Sequence, residues 1–239
     1  MAENRASAHT EGVPCWVDAQ LPDVEAGKRF YGELFGWTFR ENEGLTQALC
    51  GGEPVASLGH KTDGRMPTVW TVYFAAPDIH ALVARIHAAG GQVITAPVPV
   101  GELGTTALAT DPEGAVFGLW QSAEYPGFGR RHEPGTFAWA ELYARDTAVA
   151  NTFYGNLFHE ALFGPDAAPD FGRAAVSEVF PAEMPPHFLV HFAVEDMEAA
   201  LGAVNRLGGR VQAPPFDTSY GNVAVVTDNQ GASFALLRK

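Results

Sequence analysis

Phe30-Tyr31-Gly32-Glu33-Leu34-Phe35-Gly36-Trp37 returns 123 residues later as Phe153-Tyr154-Gly155-Asn156-Leu157-Phe158-His159-Glu160. Cys15-Trp16-Val17-Asp18 returns at the same interval as Ala138-Trp139-Ala140-Glu141. Further along, Val72-Tyr73-Phe74-Ala75 matches Val190-His191-Phe192-Ala193, and Gly90-Gly91-x-Val93 matches Gly208-Gly209-x-Val211, both 118 residues apart. Asp111-Pro112-Glu113-Gly114-Ala115 matches Asp228-Asn229-Gln230-Gly231-Ala232 at 117. Blocks matched in one order, at an offset drifting by a few residues, describe a duplication. The expected organisation is a polar tail over 1–12, one half over 13–121, a linker over 122–134 and a second half over 135–239.

Each half is itself doubled. Asp23 can cap a helix whose apolar positions Val24, Phe30, Tyr31 and Leu34 fall near one face, and Gly36 can stop it. Asp78 opens a second helix with Ile79, Leu82, Val83 and Ile86 at amphipathic spacing, ended by Gly90-Gly91. Asp146 and Asp196 repeat both signals. Short apolar stretches follow each helix, among them Gln92–Ala96, Thr105–Ala109 and Ala115–Trp120. Asp111-Pro112-Glu113-Gly114 is a tight turn into the last of these. The repeating unit reads as βαβββ, present about four times, in an α+β chain. In the second half Gly164–Asp170 reads as loop.

The chain has 239 residues, 46% of them hydrophobic and 18% charged. That balance is globular rather than disordered. Lys and Arg number 15 against 28 Asp and Glu, a net charge of −13, which argues against nucleic acid or anionic membrane as partner. Cys15 and Cys50 lie in no metal or redox spacing and suit a reducing compartment. Neither a signal peptide nor a membrane-spanning run is evident, so the expected location is cytoplasmic. No phosphate-binding loop, nucleophile elbow or dinucleotide fingerprint is present, and no cofactor is expected.

The blocks Trp16…Phe30–Trp37, Tyr73-Phe74-Ala75…Asp78, Ala89-Gly90-Gly91 and Asp111–Gly114 resemble the vicinal oxygen chelate superfamily, which includes glyoxalase I, extradiol dioxygenases and bleomycin-resistance proteins. The resemblance covers nearly all of the chain outside the tail and the linker. It implies four βαβββ modules paired into two cupped mixed sheets, with helices on the convex side and a site in each concavity. Tandem members labelled glyoxalase-like or hydroxylase are the nearest match.

Strand alternation tests which residues face the cups. Cys15, Val17 and Ala19 form one face of the first strand, opposite Trp16, Asp18 and Gln20. Ala138, Ala140 and Leu142 oppose Trp139, Glu141 and Tyr143. Val72 and Phe74 oppose Thr71 and Tyr73, and Val190 and Phe192 oppose Leu189 and His191. The small faces suit packing beneath helices, and the aromatic and polar faces suit a ligand cavity.

In metal-using relatives the resemblance places His, Glu or Gln ligands on the first and last strands of each module. Carried over, those places hold Trp16, Thr71 and Gly118, with a fourth near Ala56 or Ser57. In the second half they hold Trp139, Leu189 and Ala235, with a fourth in 161–180. Indole, leucine and alanine side chains bind no metal, and glycine has none to offer, so no metal ligand is expected. Of the eight histidines, His9, His132 and His159 read as tail, linker and loop. His80 and His87 fall on an exposed helix face, His60 and His187 lie beside loops, and only His191 points toward a cup.

The expected site therefore uses Glu141 with His191 as an acid/base pair, a carboxylate neighbour raising the imidazole toward neutral pH. Asp18 and Tyr73 are their counterparts in the first half. Trp16, Trp139, Trp120, Thr71, Tyr143 and Leu189 would line the ligand. Three readings follow: metal-free acid/base chemistry on an aromatic, carbonyl-rich metabolite, sequestration of such a molecule, or a tandem whose second half is structural. Metal-dependent glyoxalase or dioxygenase chemistry is the further alternative. The expected partner is a small molecule, and the expected state a monomer or homodimer.

Overall fold

The computed structural model describes residues 9–239 except 43, 44, 65, 66, 166, 168, 177, 178 and 182. Most of the expected tail, and Asp166 and Ala168 of the expected loop, lie outside the described residues. The first module runs β1 (Pro14–Leu21), α1 (Val24–Phe35), β2 (Thr38–Asn42), β3 (Leu45–Cys50) and β4 (Glu53–His60). The second runs β5 (Trp70–Ala75), α2 (Ile79–Ala88), β6 (Gln92–Val100), β7 (Gly104–Thr110) and β8 (Val116–Ser122). The third comprises β9 (Phe137–Ala144), α3 (Thr147–Leu157), α4 (His159–Phe163) and β10 (Phe171–Ala175). The fourth runs β11 (His187–Ala193), α5 (Met197–Arg206), β12 (Arg210–Thr218), β13 (Gly221–Thr227) and β14 (Ser233–Arg238).

Capping chemistry explains where four of the helices begin. The carboxylate of Asp23 accepts from Ala26 N–H at 2.9 Å, Asp78 from Ala81 at 2.9 Å, Asp146 from Ala148 at 2.8 Å and Asp196 from Ala199 at 2.9 Å. Each satisfies a backbone donor that the helix itself cannot. Gly36 ends α1 at φ 71°, a conformation that costs other residues a Cβ clash.

The third module departs from βαβββ: among the described residues it has two strands, and a short second helix, α4, precedes the stretch Gly164–Asp170 expected to be loop. His159 opens α4 and is not a loop residue. Phe158, Ala161 and Leu162 are buried, so even this single turn has an apolar side to hide.

The strand orders are β2-β3-β4-β1-β5-β8-β7-β6 and β10-β9-β11-β14-β13-β12. The first and last strands of each module pair in parallel, and β12-β13-β14, β6-β7-β8 and β2-β3-β4 are antiparallel. The strands thus follow the two sequence halves.

Two compact units cut across those halves. One contains the residues through Trp16, Val72–Gly127 and Ala140–Phe188; the other contains Val17–Thr71, Phe128–Trp139 and Leu189–Lys239. Each takes one module's helix from each half. In the first unit α2 packs on α3, and Phe74, Phe117, Tyr154, Phe158, Phe171 and Phe188 make one ring cluster. In the second α1 packs on α5 over Tyr31, Phe35, Trp37, Trp70, Phe192 and Phe234. Burying one such ring contributes roughly 1.5–3 kcal/mol.

A tyrosine–aspartate contact recurs in both cores. In the second unit the Tyr31 hydroxyl donates to Asp228 Oδ2 at 2.9 Å and accepts from Trp70 Nε1 at 2.9 Å. In the first, the Tyr154 hydroxyl donates to Asp111 Oδ2 at 3.2 Å. The other oxygen of each aspartate holds its own turn: Asp228 Oδ1 accepts from Gln230 and Ala232 N–H, and Asp111 Oδ1 from Glu113 and Ala115 N–H. Burial pushes both carboxyls up, and burial with the facing carboxylate pushes both phenols well up.

Candidate functional site

The parallel strand pairs give the candidate site one repeated geometry. Asp18 of β1 lies opposite Ser57 of β4, and Tyr73 of β5 opposite Gly118 of β8. Glu141 of β9 lies opposite Gly172 of β10, and His191 of β11 opposite Ala235 of β14. Each module therefore sets one polar or phenolic side chain beside a small residue on its last described strand. The faces expected to pack inward are buried at Cys15, Val17, Ala19, Ala138, Ala140 and Leu142.

In the first unit the Tyr73 ring lies directly on Gly118. A Cβ at Gly118 would stand 2.1 Å from Tyr73 Cδ1, so only glycine permits this approach. Trp16 meets the ring of Tyr125 edge-on at 5.2 Å, and Tyr125 meets Trp120 at 6.4 Å. Trp120 Nε1 donates to the Tyr125 carbonyl at 2.8 Å. Both indoles are only 9% exposed. Elsewhere in this unit Tyr143 packs edge-on against Phe180 at 4.9 Å and stacks on His187 at 5.7 Å. Burial lowers the pKa of the His187 imidazole. Glu141 is buried, and its charge acts on Arg173, whose own pKa is lowered by burial. The Arg173 Nε donates to Asn151 Oδ1 at 2.6 Å.

In the second unit Asp18 is buried on β1, and its Oδ2 accepts from Gln20 Nε2 at 2.9 Å. Thr71 is half-buried. Trp139 stacks on Tyr220 at 5.3 Å with an interplanar angle of 29°, and His191 meets the Tyr220 ring edge-on at 6.1 Å. His191 is fully buried. Its Nδ1 lies 3.1 Å from the carbonyl oxygen of Leu189, a group that only accepts, so Nδ1 carries the hydrogen. Leu189 is itself buried.

One expectation is corrected. His191 is not raised toward neutral pH: desolvation pushes its pKa down to about 4. Glu141 belongs to the first compact unit and His191 to the second. Tyr125, Tyr220, Phe180 and Arg173 escape the sequence reading. The first three lie outside strands and helices, where side-chain alternation has no meaning, and Arg173 is on a short strand with no clear pattern.

The family model of the Glyoxalase/Bleomycin resistance protein/Dioxygenase superfamily matches residues 15–119. The protein named "Putative glyoxylase CFP32" of Mycobacterium tuberculosis is 34% identical over 98% of this chain and 97% of its own length. The chain belongs to this superfamily. Two further superfamily relatives carry names from antibiotic production. "Anthracycline biosynthesis protein DauV" of Streptomyces sp. (strain C5) and "Anthracycline biosynthesis protein DnrV" of Streptomyces peucetius are each 33% identical, over 95% of this chain and 93% of theirs. Solved structures share the superfamily fold. The Mn(II)-bound glyoxalase from Novosphingobium aromaticivorans aligns at TM-score 0.65 and 16% identity, over 96% of this chain and 83% of that one. The 2,3-dioxygenase LapB from Pseudomonas sp. KL28 aligns at TM-score 0.66 and 17% identity, over 97% and 94%.

The superfamily resemblance implies a divalent metal, and the donors present do not fit one. The positions it assigns to ligands hold Trp16, Thr71 and Gly118, and Trp139, Leu189 and Ala235. At Gly118 the place of a donor side chain is filled by the Tyr73 ring. Among the described residues no three His, Cys, Asp or Glu side chains gather as a metal site. Catalytic metal centres of the zinc type take three protein ligands and an open position. No described helix is long and apolar enough to cross a membrane.

Proposed function

We propose that this superfamily member recognises an aromatic, carbonyl-rich small molecule through ring contacts and hydrogen bonds, without a chelated metal ion. One observation carries the reading. Each first-strand tryptophan has a tyrosine ring against it, Tyr125 at 5.2 Å from Trp16 and Tyr220 at 5.3 Å from Trp139. These are positions where metal-using relatives would hold a donor. Aromatic pairs of this kind add about 0.5–1.5 kcal/mol beyond area burial, and a flat ligand gains the same from either ring. The names of DauV and DnrV support the ligand class, since anthracyclines are fused aromatic rings bearing carbonyls.

In this reading Tyr73 offers a phenol to a ligand carbonyl, and the buried carboxylates of Asp18 and Glu141 accept from ligand hydroxyls. Trp120, Tyr143, Thr71 and Leu189 shape the surroundings. Sequestration without turnover is the second reading, favoured by His191. An imidazole with its pKa near 4 is neutral at neutral pH and does not serve there as an imidazolium general acid.

Elemental analysis of dialysed protein, with tryptophan emission followed during titration by 2-hydroxyanthraquinone, tests the proposal. It expects far less than one equivalent of Mn, Fe, Ni or Zn and saturable quenching that weakens in Trp16→Phe or Trp139→Phe. A stoichiometric metal that activates the protein, or emission unchanged by the quinone, overturns it.

A further inference from the structure

His191 combines features that are costly together. The imidazole is fully buried, its Nδ1–H is used by the Leu189 carbonyl, and Nε2 has no hydrogen-bond partner among the described residues. With Nδ1 protonated and the ring neutral, Nε2 presents a lone pair. A buried acceptor left unsatisfied carries a desolvation cost that evolution ordinarily removes by supplying a donor. The cross-strand neighbour, Ala235, has no donor to supply. The facing ring is Tyr220, in the turn between β12 and β13, and it stacks in turn on half-buried Trp139.

We infer that the second unit selects ligands bearing a phenolic or enolic hydroxyl, which donates to His191 Nε2 while the ligand's ring takes the place of Tyr220 on Trp139. The inference rests on the functional reading above and narrows its ligand class. The donor must come from the ligand because Tyr220 meets the imidazole through its ring rather than its hydroxyl. Tyr220 is the part able to give way. It sits in a two-residue turn, held by Thr218 Oγ1 donating to the Gly221 carbonyl at 2.7 Å, so its ring can swing without breaking a strand pair. Trp139 and His191 stand on strands and stay in place. A hydroxyl is the fitting donor, since a neutral nitrogen acceptor rewards an acidic O–H and gains nothing from its methyl ether.

The test compares 2-hydroxyanthraquinone with 2-methoxyanthraquinone at about pH 6, where this phenol keeps its proton and the His191 ring is neutral. The hydroxy compound is expected to bind about tenfold more tightly, as one charge-neutral hydrogen bond to an otherwise unsatisfied acceptor warrants. In His191→Phe that preference is expected to vanish while both compounds still bind. In Tyr220→Ala the hydroxy compound is expected to associate faster. Nitrogen-15 NMR of the wild-type imidazole gives a readout independent of any variant's folding: only the Nε2 resonance should shift, and only with the hydroxy compound. Equal affinities, or an unmoved Nε2 resonance in the bound state, overturn the inference and leave the functional reading standing. Binding of neither compound overturns both.

Discussion

The hydroxyl of Tyr31 on α1 donates to Asp228 Oδ2 at 2.9 Å across 197 residues of chain, so a helix of the first half is bonded to a turn of the second. Tyr154 and Asp111 repeat the contact with the halves exchanged.

Tyr31→Phe is expected to destabilise the protein by about 2–4 kcal/mol, because it orphans both the Trp70 indole N–H and an Asp228 oxygen. Tyr154→Phe orphans only an Asp111 oxygen and should cost less. Urea unfolding checks both: the midpoint should fall more for Tyr31→Phe, with the slope unchanged.

Acid should weaken the fold through His191. Its folded pKa, about 4, lies below the ordinary 6.5. As pH falls below 6.5 the unfolded chain takes the proton first, so this contribution is complete above that pH and is lost by about pH 4. The window corresponds to about 3 kcal/mol. His187, also lowered, acts with the same sign. Asp111 and Asp228, raised, act oppositely and favour the fold as acid protonates them. The difference between wild type and His191→Phe isolates the histidine. Stability measured against pH should decline less over this window in the variant, and an identical decline in both proteins would refute the assignment.

Gly118→Ala should cost about 1–3 kcal/mol, since its methyl would meet the Tyr73 ring at 2.1 Å. Adding Tyr73→Ala should recover much of that loss, because the obstacle is one ring. Thermal melts of the two single variants and the double variant measure the coupling.

Much of the fold was legible because its signals are local. Asp23, Asp78, Asp146 and Asp196 start their helices where the capping pattern puts them, and Cys15, Val17 and Ala19 bury the face that alternation assigns. The candidate site was legible only in part. Alternation says which side of β11 His191 occupies; it cannot say that the ring is fully buried, or that Tyr220 meets it from the turn after β12. Tyr125 reaches Trp16 in the same way. His159 misled because a single helical turn is too short to show a period. The Tyr31–Asp228 contact joins two motifs that were each recognised as repeats, yet no periodicity states which copy meets which.

That exchange of partners bears on how the polypeptide could be divided. α1 rests on α5 and α2 on α3, so a fragment ending near the linker would carry both of its helices without their mates. Two pieces cut there are therefore expected to build their cores only when both are present, since each supplies one helix to either unit.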